Sequence, residues 1–344
     1  MTYQPRNLLI TGGAGFIGCN FVRYYLTAHP EVRLINLDSL TYAGSLANLQ
    51  DLPTPEQHIF VQGDIGDRPL VDQLLREHEI ETIVHFAAES HVDRSITGPA
   101  AFLQSNVIGT FTLLEAARQY WLEEQRLSPE QCRFHHISTD EVYGTLSPTD
   151  PAFSETTPYA PNSPYSASKA ASDHFVRAYY HTYGLPVTVS NCSNNYGPFQ
   201  HSEKFIPTII RSCLEQKSIP VYGDGSNIRD WLYVADHCQA IDRVIAEGRL
   251  GEHYNIGGCN EWSNLAIVKH LCQLMDEFRP QQAPHARLIG FVTDRPGHDW
   301  RYAIDATKMR QELHWQPQET FETGIQKTVQ WYLAQAGDKA LLSC

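Results

Sequence analysis

The chain has no apolar run that approaches the ~20 residues of a membrane-spanning helix. Near its N-terminus only Leu8, Leu9 and Ile10 are consecutively apolar before a glycine cluster. That is too short for an export signal, so neither a membrane protein nor an exported one is expected. Paired cysteines are lacking too. Cys19, Cys132, Cys192, Cys213, Cys238, Cys259, Cys272 and Cys344 are scattered, with no C-x-x-C spacing. A disulfide framework and structural zinc are therefore not expected, and the pattern points to reduced thiols in a cytoplasmic protein. None of the 16 histidines recurs at ligand spacing, so no metal is expected. Positive charge is in deficit: 26 Lys+Arg against 39 Asp+Glu give a net charge of −13. Such a field argues against a nucleic-acid partner, and an anionic ligand needs a local group of cations. Internal repeats and low-complexity linkers are absent.

What is present is an ordinary globular composition, 42% hydrophobic and 19% charged, over 344 residues. That length suggests about two domains. The first half alternates short apolar runs with longer amphipathic stretches. The pattern predicts strands at Asn7–Thr11, Arg33–Asp38, His58–Gln62, Thr82–Phe86, Phe134–Ser138 and Pro186–Asn191. Between them it predicts helices at Phe16–Ala28, Pro69–His78, Ala100–Glu123 and Pro164–Tyr183, the last stopped by Gly184 and Pro186. Alternation of this kind implies an α/β fold, a parallel sheet covered on both faces. After residue 192 the pattern becomes turn-rich, with helical stretches near Phe205–Glu215, Val234–Glu247 and Ser263–Phe278. The expected division is a nucleotide-binding domain at 1–191, with 228–250 returning to it, and a smaller C-terminal substrate-binding lobe from 192–227 and 251–344.

Thr11-Gly12-Gly13-Ala14-Gly15-Phe16-Ile17-Gly18 follows the first strand and opens the first helix. Glycines there permit a tight turn and a close approach of backbone to a pyrophosphate, which the helix N-terminus then faces. Asp38 ends the second strand 20 residues after Gly18, where a ribose-binding acid belongs. A carboxylate accepts from the ribose hydroxyls of NAD and repels the 2′-phosphate of NADP, and no Arg follows it directly. The expected fold is thus Rossmann-like and doubly wound, and the expected cofactor is NAD. Asp64 and Ile65, after the third strand, fall beside the adenine in such a topology.

Tyr165 and Lys169 are one helical turn apart on one face. A phenol beside an ammonium and a cationic nicotinamide is expected to have a depressed pKa and to act as a base. Thr139, after the fifth strand, is placed to share a substrate hydroxyl.

These features, with Ala87-Ala88-Glu89-Ser90, resemble the extended short-chain dehydrogenase/reductases that act on nucleotide sugars. More narrowly, His136-Ile137-Ser138-Thr139-Asp140-Glu141-Val142-Tyr143-Gly144 resembles the nucleotide-sugar 4,6-dehydratases. So do Glu89 to Ser95, Asn191 to Pro198, Arg229 to Val234 and Asp294 to Asp299, and the likeness runs from about Asn7 to Leu333. The resemblance implies a lyase with tightly bound NAD that is recycled within each turnover. Tyr165 would take the C4 hydroxyl proton as C4 is oxidised, Glu141 the acidified C5 proton, and Asp140 would protonate the departing C6 hydroxyl. The 4-keto-6-deoxy product would feed rhamnose or another deoxysugar. The resemblance adds Phe16, Ile17, Thr41, Ala87, Ala88 and Ser105 to the cofactor contacts. It also implies a homodimer joined through a four-helix interface from about 100–123 and 164–183. A regular strand would point Asp140 away from Thr139 and Glu141. All three share a pocket only if the backbone leaves the strand near Thr139.

The substrate's pyrophosphate needs cations. Arg229 and Arg295 suit it through planar, bidentate donors, with Lys204 a further cation. Arg229 alternatively pairs with Asp230 or Asp236. Asn194 and Asn264 offer amide donors, His298 can reach the phosphates or ribose, and Ser90 and Arg94 approach from the fourth strand's exit. The base is not resolved by spacing, though the overall likeness favours a dTDP-sugar. A 4-epimerase on the same fold needs no Asp–Glu pair, and a non-catalytic NAD sensor needs no Tyr/Lys pair.

Overall fold

The computed structural model describes residues 2–294 and 296–337. Its strands, in chain order, are β1 (Asn7–Thr11), β2 (Arg33–Asp38), β3 (His58–Gln62), β4 (Thr82–His85), β5 (Arg133–Thr139) and β6 (Val187–Cys192). They continue as β7 (Asn194–Tyr196), β8 (Ile219–Tyr222), β9 (Ile228–Tyr233), β10 (His253–Ile256), β11 (Glu261–Ser263) and β12 (Ile289–Val292). Seven of them form one sheet in the order β3-β2-β1-β4-β5-β6-β10, and every pairing is parallel. The order reverses between β1 and β4, which opens a crevice at the carboxyl ends of the strands.

Both faces are covered, which is why the central strands read as continuous apolar runs rather than alternating ones. On one face, helix Phe16–Ala28 buries Phe21, Val22, Tyr25 and Leu26 against Cys238, Ile241 and Ile245 of helix Val234–Glu247. On the other face, Leu74, Leu113, Trp121 and Val176 come from the helices at Arg68–Glu77, 99–124 and Pro164–Tyr183. The run 99–124 is helical throughout, but Leu103–Gly109 and Arg118–Glu124 are wound more widely, in the π manner. Helix Pro164–Tyr183 starts at a reciprocal Ser163/Ser166 cap and stops at Gly184, whose φ of 72° suits glycine.

The smaller lobe has its own core. Ile206, Ile210, Ile267, Leu271, Phe321 and Ile325 pack there from helices Phe205–Glu215, Asn264–Phe278 and Phe321–Gln335. It also holds a three-stranded sheet, β11-β9-β7, and a two-stranded one, β12-β8.

The second half departs from the sequence pattern in two respects. Asn194–Tyr196, which reads as a turn, forms β7. The division at 228–250 and 251–344 is also crossed. β9 joins the lobe's small sheet, while β10 pairs parallel to β6 as the seventh strand of the large sheet. β7 has three residues and β10 four, too short to display a period, and these strands and the six-residue β9 alike lie where partners distant in sequence place them.

The phosphate turn is held by packing as well as by conformation. A Cβ on Gly18 would sit 2.3 Å from the Gly12 carbonyl oxygen and 2.8 Å from the Gly13 Cα, both backbone atoms that cannot swing aside. Gly18→Ala is therefore expected to destabilise the fold by roughly 1–3 kcal/mol. Thermal melting checks this, and an unchanged midpoint would refute the close helix–strand contact.

Candidate active site

The carboxyl ends of the strands surround a cavity of about 490 Å³. That size suits a small-molecule or cofactor site. Gly12, Gly15, Phe16, Ile17 and Gly18 line it from the first turn. Asp38, Thr41, Asp64 and Ile65 line it beyond β2 and β3. Ala87, Ala88 and Ser105 line it beside β4, and Tyr165 and Lys169 from the helix Pro164–Tyr183.

These residues fit a dinucleotide. A Cβ on Gly15 would meet no protein atom nearer than the Gly12 oxygen at 3.3 Å, so packing of the protein alone does not demand glycine there. The bare backbone leaves room on the cavity side for a phosphate. Asp38 Oδ2 accepts from the Ala14 N–H at 2.9 Å and Oδ1 from the Leu40 N–H at 2.8 Å. A carboxylate has about four acceptor sites, so each oxygen keeps capacity for a ribose hydroxyl. The Asn194 side-chain oxygen is buried at the cavity wall and has no partner among the described residues.

β5 ends at Thr139, and Asp140–Tyr143 form a single 3₁₀ turn. The Thr139 hydroxyl caps that turn by accepting from the Glu141 N–H at 3.3 Å. The backbone thus leaves the strand where the sequence requires, and Thr139 and Glu141 both line the cavity. Asp140 packs behind them, 1% exposed, and its Oδ1 accepts from the Thr139 hydroxyl at 3.3 Å. Burial, helped by the Glu141 and Asp230 carboxyls, holds Asp140 well above the usual carboxylate range, against the opposing pull of Arg229. Its surroundings therefore favour the protonated form.

Tyr165 is pushed up, not down: burial and the carboxyl of Glu141 raise its pKa well above that of a free phenol. The depressed value is expected beside both an ammonium and a cationic nicotinamide, and the protein's own burial and Glu141 work against it. The Lys169 ammonium is turned to the Ile137 carbonyl at 2.7 Å and lies 3.3 Å from His136 Nε2. Burial lowers Lys169 to about 8, while Asp173, the next turn of the helix, supports its charge. Asp173 Oδ1 lies 3.2 Å from the same His136 nitrogen, and Oδ2 accepts from Ser138 at 2.7 Å and Tyr159 at 2.9 Å.

The expected substrate contacts fall into two groups. Ser90, Asn194 and Lys204 line the cavity, and the Lys204 ammonium donates to the Ser90 carbonyl at 2.8 Å. Arg229, Asn264 and His298 gather instead in the lobe. The Asn264 N–H donates to the Asn227 carbonyl, and Asn227 Nδ2 and Arg229 Nη2 both donate to the Asp299 carbonyl. His298 Nδ1 is 2.6 Å from Asp294 Oδ1. Arg229 is engaged by backbone within the lobe. Its guanidinium serves backbone carbonyls and lies 4.1 Å over the Tyr302 ring. Arg94 pairs with Glu203 at 2.6 Å and lies over Tyr42. Arg295 is outside the described residues.

Sequence reasoning missed Asn106. Its amide exchanges two hydrogen bonds with the Glu89 backbone and donates to Ser168, while its carbonyl accepts from Thr110 and Ser172. The residue clamps the loop after β4 to the helix that carries Tyr165. The sequence gives little signal for it, because Asn106 follows Gln104 and Ser105 in a polar stretch of its helix.

A doubly wound sheet, a glycine turn at its switch point and a Tyr–Lys pair in the same cavity define the class of extended short-chain dehydrogenase/reductases. The sequence model of the GDP-mannose 4,6 dehydratase family matches residues 9–328, and the chain belongs to that family. It is 58% identical over 327 residues to a dTDP-glucose 4,6-dehydratase of Xanthomonas campestris, covering 94% of this chain and 92% of that one. Among solved structures it is similar to the dTDP-glucose 4,6-dehydratase of Streptomyces venezuelae with NAD and dTDP bound. That match has 45% identity and a TM-score of 0.88, with 96% and 98% of the two chains covered. It is also similar to the Bacillus anthracis dTDP-glucose 4,6-dehydratase in complex with NAD, at 47% identity and a TM-score of 0.85, covering 96% and 97%.

The Lys169 ammonium is lost as pH rises through about 8, and Asp173 is the charge that raises that value. Cys192, the other group that supports it, and His136, beside it, stay in place when Asp173 is replaced. Asp173→Asn is expected to move the alkaline limb of the kcat/KM profile to lower pH by about one unit. A limb that does not move would show that Asp173 does not sustain the ammonium.

Proposed function

We infer that this chain is an NAD-dependent hydro-lyase that converts dTDP-glucose to dTDP-4-keto-6-deoxy-glucose and water. The observation that carries the reading is the buried carboxyl of Asp140, which accepts from the Thr139 hydroxyl directly behind the cavity-lining Thr139 and Glu141, where burial favours its protonated form. A dehydrogenase or 4-epimerase needs no such acid, whereas expulsion of a hydroxyl does. Relatives at 53–58% identity carry the same activity in their names.

When bound along the glycine turn, NAD supplies the acceptor for hydride from C4, the donor that returns it to C6, and a positive charge beside the Tyr165 phenol. Gly12, Gly15, Gly18, Asp38, Thr41 and Asp64 are proposed to hold it, together with the other cavity-lining residues named above. Tyr165 takes the proton of the C4 hydroxyl, and Thr139 hydrogen-bonds the same oxygen. Lys169, buried beneath, supplies the charge that favours the phenolate. The resulting 4-ketone acidifies C5–H, and Glu141 removes that proton. Asp140 gives its own proton to the C6 hydroxyl, which leaves as water, and Glu141 returns the proton to C5. The two carboxyls divide the work because neighbouring acids do not both ionise at one pH.

Asn194 and Lys204 are proposed to meet the pyrophosphate from the cavity side. Arg229, Asn264 and His298, gathered about Asn227 and Asp299, are proposed to receive the nucleotide end; Arg295 is proposed as a further cation on its sequence position alone. Ser90 and Arg94 stand at the sugar side. The product is proposed to supply deoxysugar synthesis, rhamnose included, in the cytoplasm. Dispersed thiols support that location, since the seven cysteines among the described residues are free. No helix among those residues is long and apolar enough to cross a membrane.

We also propose a homodimer. Leu103 (58% exposed), Ile108, Phe111 and Phe175 present apolar side chains to solvent from the helices at 99–124 and 164–183. Such a patch fits a two-fold interface in which the same four helices meet.

Purified protein incubated with dTDP-glucose and no added NAD is expected to release one water, read by mass spectrometry. UDP-glucose and GDP-mannose are expected to remain unchanged. Loss of water from one of those alone would move the substrate, and isomerisation without mass change would demote Asp140 and Glu141 to structural acids. Asp140→Asn is expected to lower turnover roughly a hundredfold while reduced-cofactor absorbance builds up, because oxidation at C4 does not use the acid. For the interface, Phe111→Glu with Phe175→Glu is expected to shift the mass in light scattering from dimer to monomer.

A further inference from the structure

This inference deepens the cofactor reading above and rests on it. NAD that is reduced and reoxidised within one turnover stays behind when the sugar nucleotide leaves. Its retention therefore depends on contacts that persist while the cavity exchanges product for substrate.

Three segments distant in sequence form part of the cavity wall. Thr41 and Ala43 belong to the loop after β2, Ser90 to the loop after β4, and Gln200, His201 and Lys204 to the segment after β7. The third segment leaves the lobe and is tied down on both sides. Asn20 Nδ2, on the helix that follows the glycine turn, donates to the Pro198 carbonyl at 3.0 Å. The Tyr332 hydroxyl, from the lobe, donates to the Gln200 carbonyl at 2.6 Å.

Neighbouring side chains join the three segments to one another. Tyr42 stands between Thr41 and Ala43 in the chain. The Arg94 guanidinium lies over its ring, 3.9 Å from the centre, and the His201 ring meets it edge-on at 5.5 Å. Arg94 Nη2 in turn donates to Glu203 Oε2 at 2.6 Å, and His201 Nδ1 is 4.0 Å from the same oxygen. One guanidinium thus gives its flat face to a ring and its edge to a carboxylate. The contacts run from the loop after β2, through the helix Val92–Thr97, to the lobe segment.

We propose that Tyr42, Arg94 and Glu203 form a clasp that keeps NAD in the cavity between turnovers. The clasp acts on the loop that follows Asp38, the acid placed for the ribose. Withdrawal of a dinucleotide from beneath these segments requires the loop after β2 and the segment after β7 to part. That parting separates Tyr42 and Arg94 from Glu203 and His201. The Arg94 and Glu203 side chains are each 43% exposed, so salt reaches the pair. The clasp therefore opens for loading and weakens as ionic strength rises.

The test is the rate at which NAD leaves the holoenzyme. Loose nucleotide is removed by gel filtration, released NAD is destroyed by an added NAD glycohydrolase, and the NAD still on the protein is extracted and quantified over time. Glu203→Gln keeps the shape and removes the charge, Tyr42→Leu removes the ring, and neither side chain lines the cavity. Each variant is expected to release NAD about three- to tenfold faster, with kcat at saturating NAD within about twofold of the unaltered protein. Raising sodium chloride from about 50 to about 500 mM is expected to speed release from the unaltered protein about threefold, and to speed it less in Glu203→Gln. Release from both variants at the unaltered rate, or a Glu203→Gln protein as salt-sensitive as the unaltered one, would overturn the clasp. Unaltered protein that is folded but emerges from gel filtration without NAD would instead remove the retained-cofactor reading, and the clasp with it.

Discussion

The hydrogen bond from the Glu141 N–H to the Thr139 hydroxyl is the contact on which the rest of the site depends. A strand continued through Glu141 would send Asp140 to the opposite face of the sheet from its neighbours. The capped turn cancels that alternation. Thr139 and Glu141 then face the cavity, and Asp140 is drawn in behind them within reach of the same hydroxyl. The turn costs the strand its last ladder positions, and the threonine hydroxyl offsets this by satisfying an otherwise orphaned donor.

Around that turn the protein concentrates ionisable groups where water is scarce. Asp140, Tyr165, Lys169 and Asp173 are all buried. Each is pushed toward its neutral form by burial, and three are answered by specific partners: Arg229 near Asp140, Asp173 near Lys169, and Ser138 and Tyr159 on Asp173. The result is a set of protonation states matched to a proton-transferring task and separated by environment rather than by residue type. Asn106 gives this arrangement its rigidity. One side chain ties the loop after β4 to the helix of Tyr165 and Lys169, so the two walls of the cavity keep their spacing.

The large sheet carries the proposed cofactor side and the Tyr165–Lys169 pair, and the lobe carries the proposed nucleotide grip. Their contact runs through β6 and β7, consecutive strands that belong to different sheets. Cys192 closes the first and Asn194 opens the second, and both line the cavity.

Much of this was legible in the residues. The glycine turn, Asp38, the Tyr165/Lys169 spacing and the strand–helix alternation are local patterns, set by the period of a helix, the backbone freedom of glycine and the order of elements along the chain. They determined the parallel sheet, the nucleotide end of the cavity and the need for the backbone to leave β5 at Thr139. Only the tertiary structure decided the rest. It placed β10 in the large sheet rather than the lobe, turned Lys169 to the Ile137 carbonyl, buried Asp140 and Tyr165 so that both are shifted upward, and set Asn106 between two elements. The physical reason is common to all of these. Burial, dielectric surroundings and pairing across long sequence separations are properties of what surrounds a residue, and the surroundings come from segments far away along the chain.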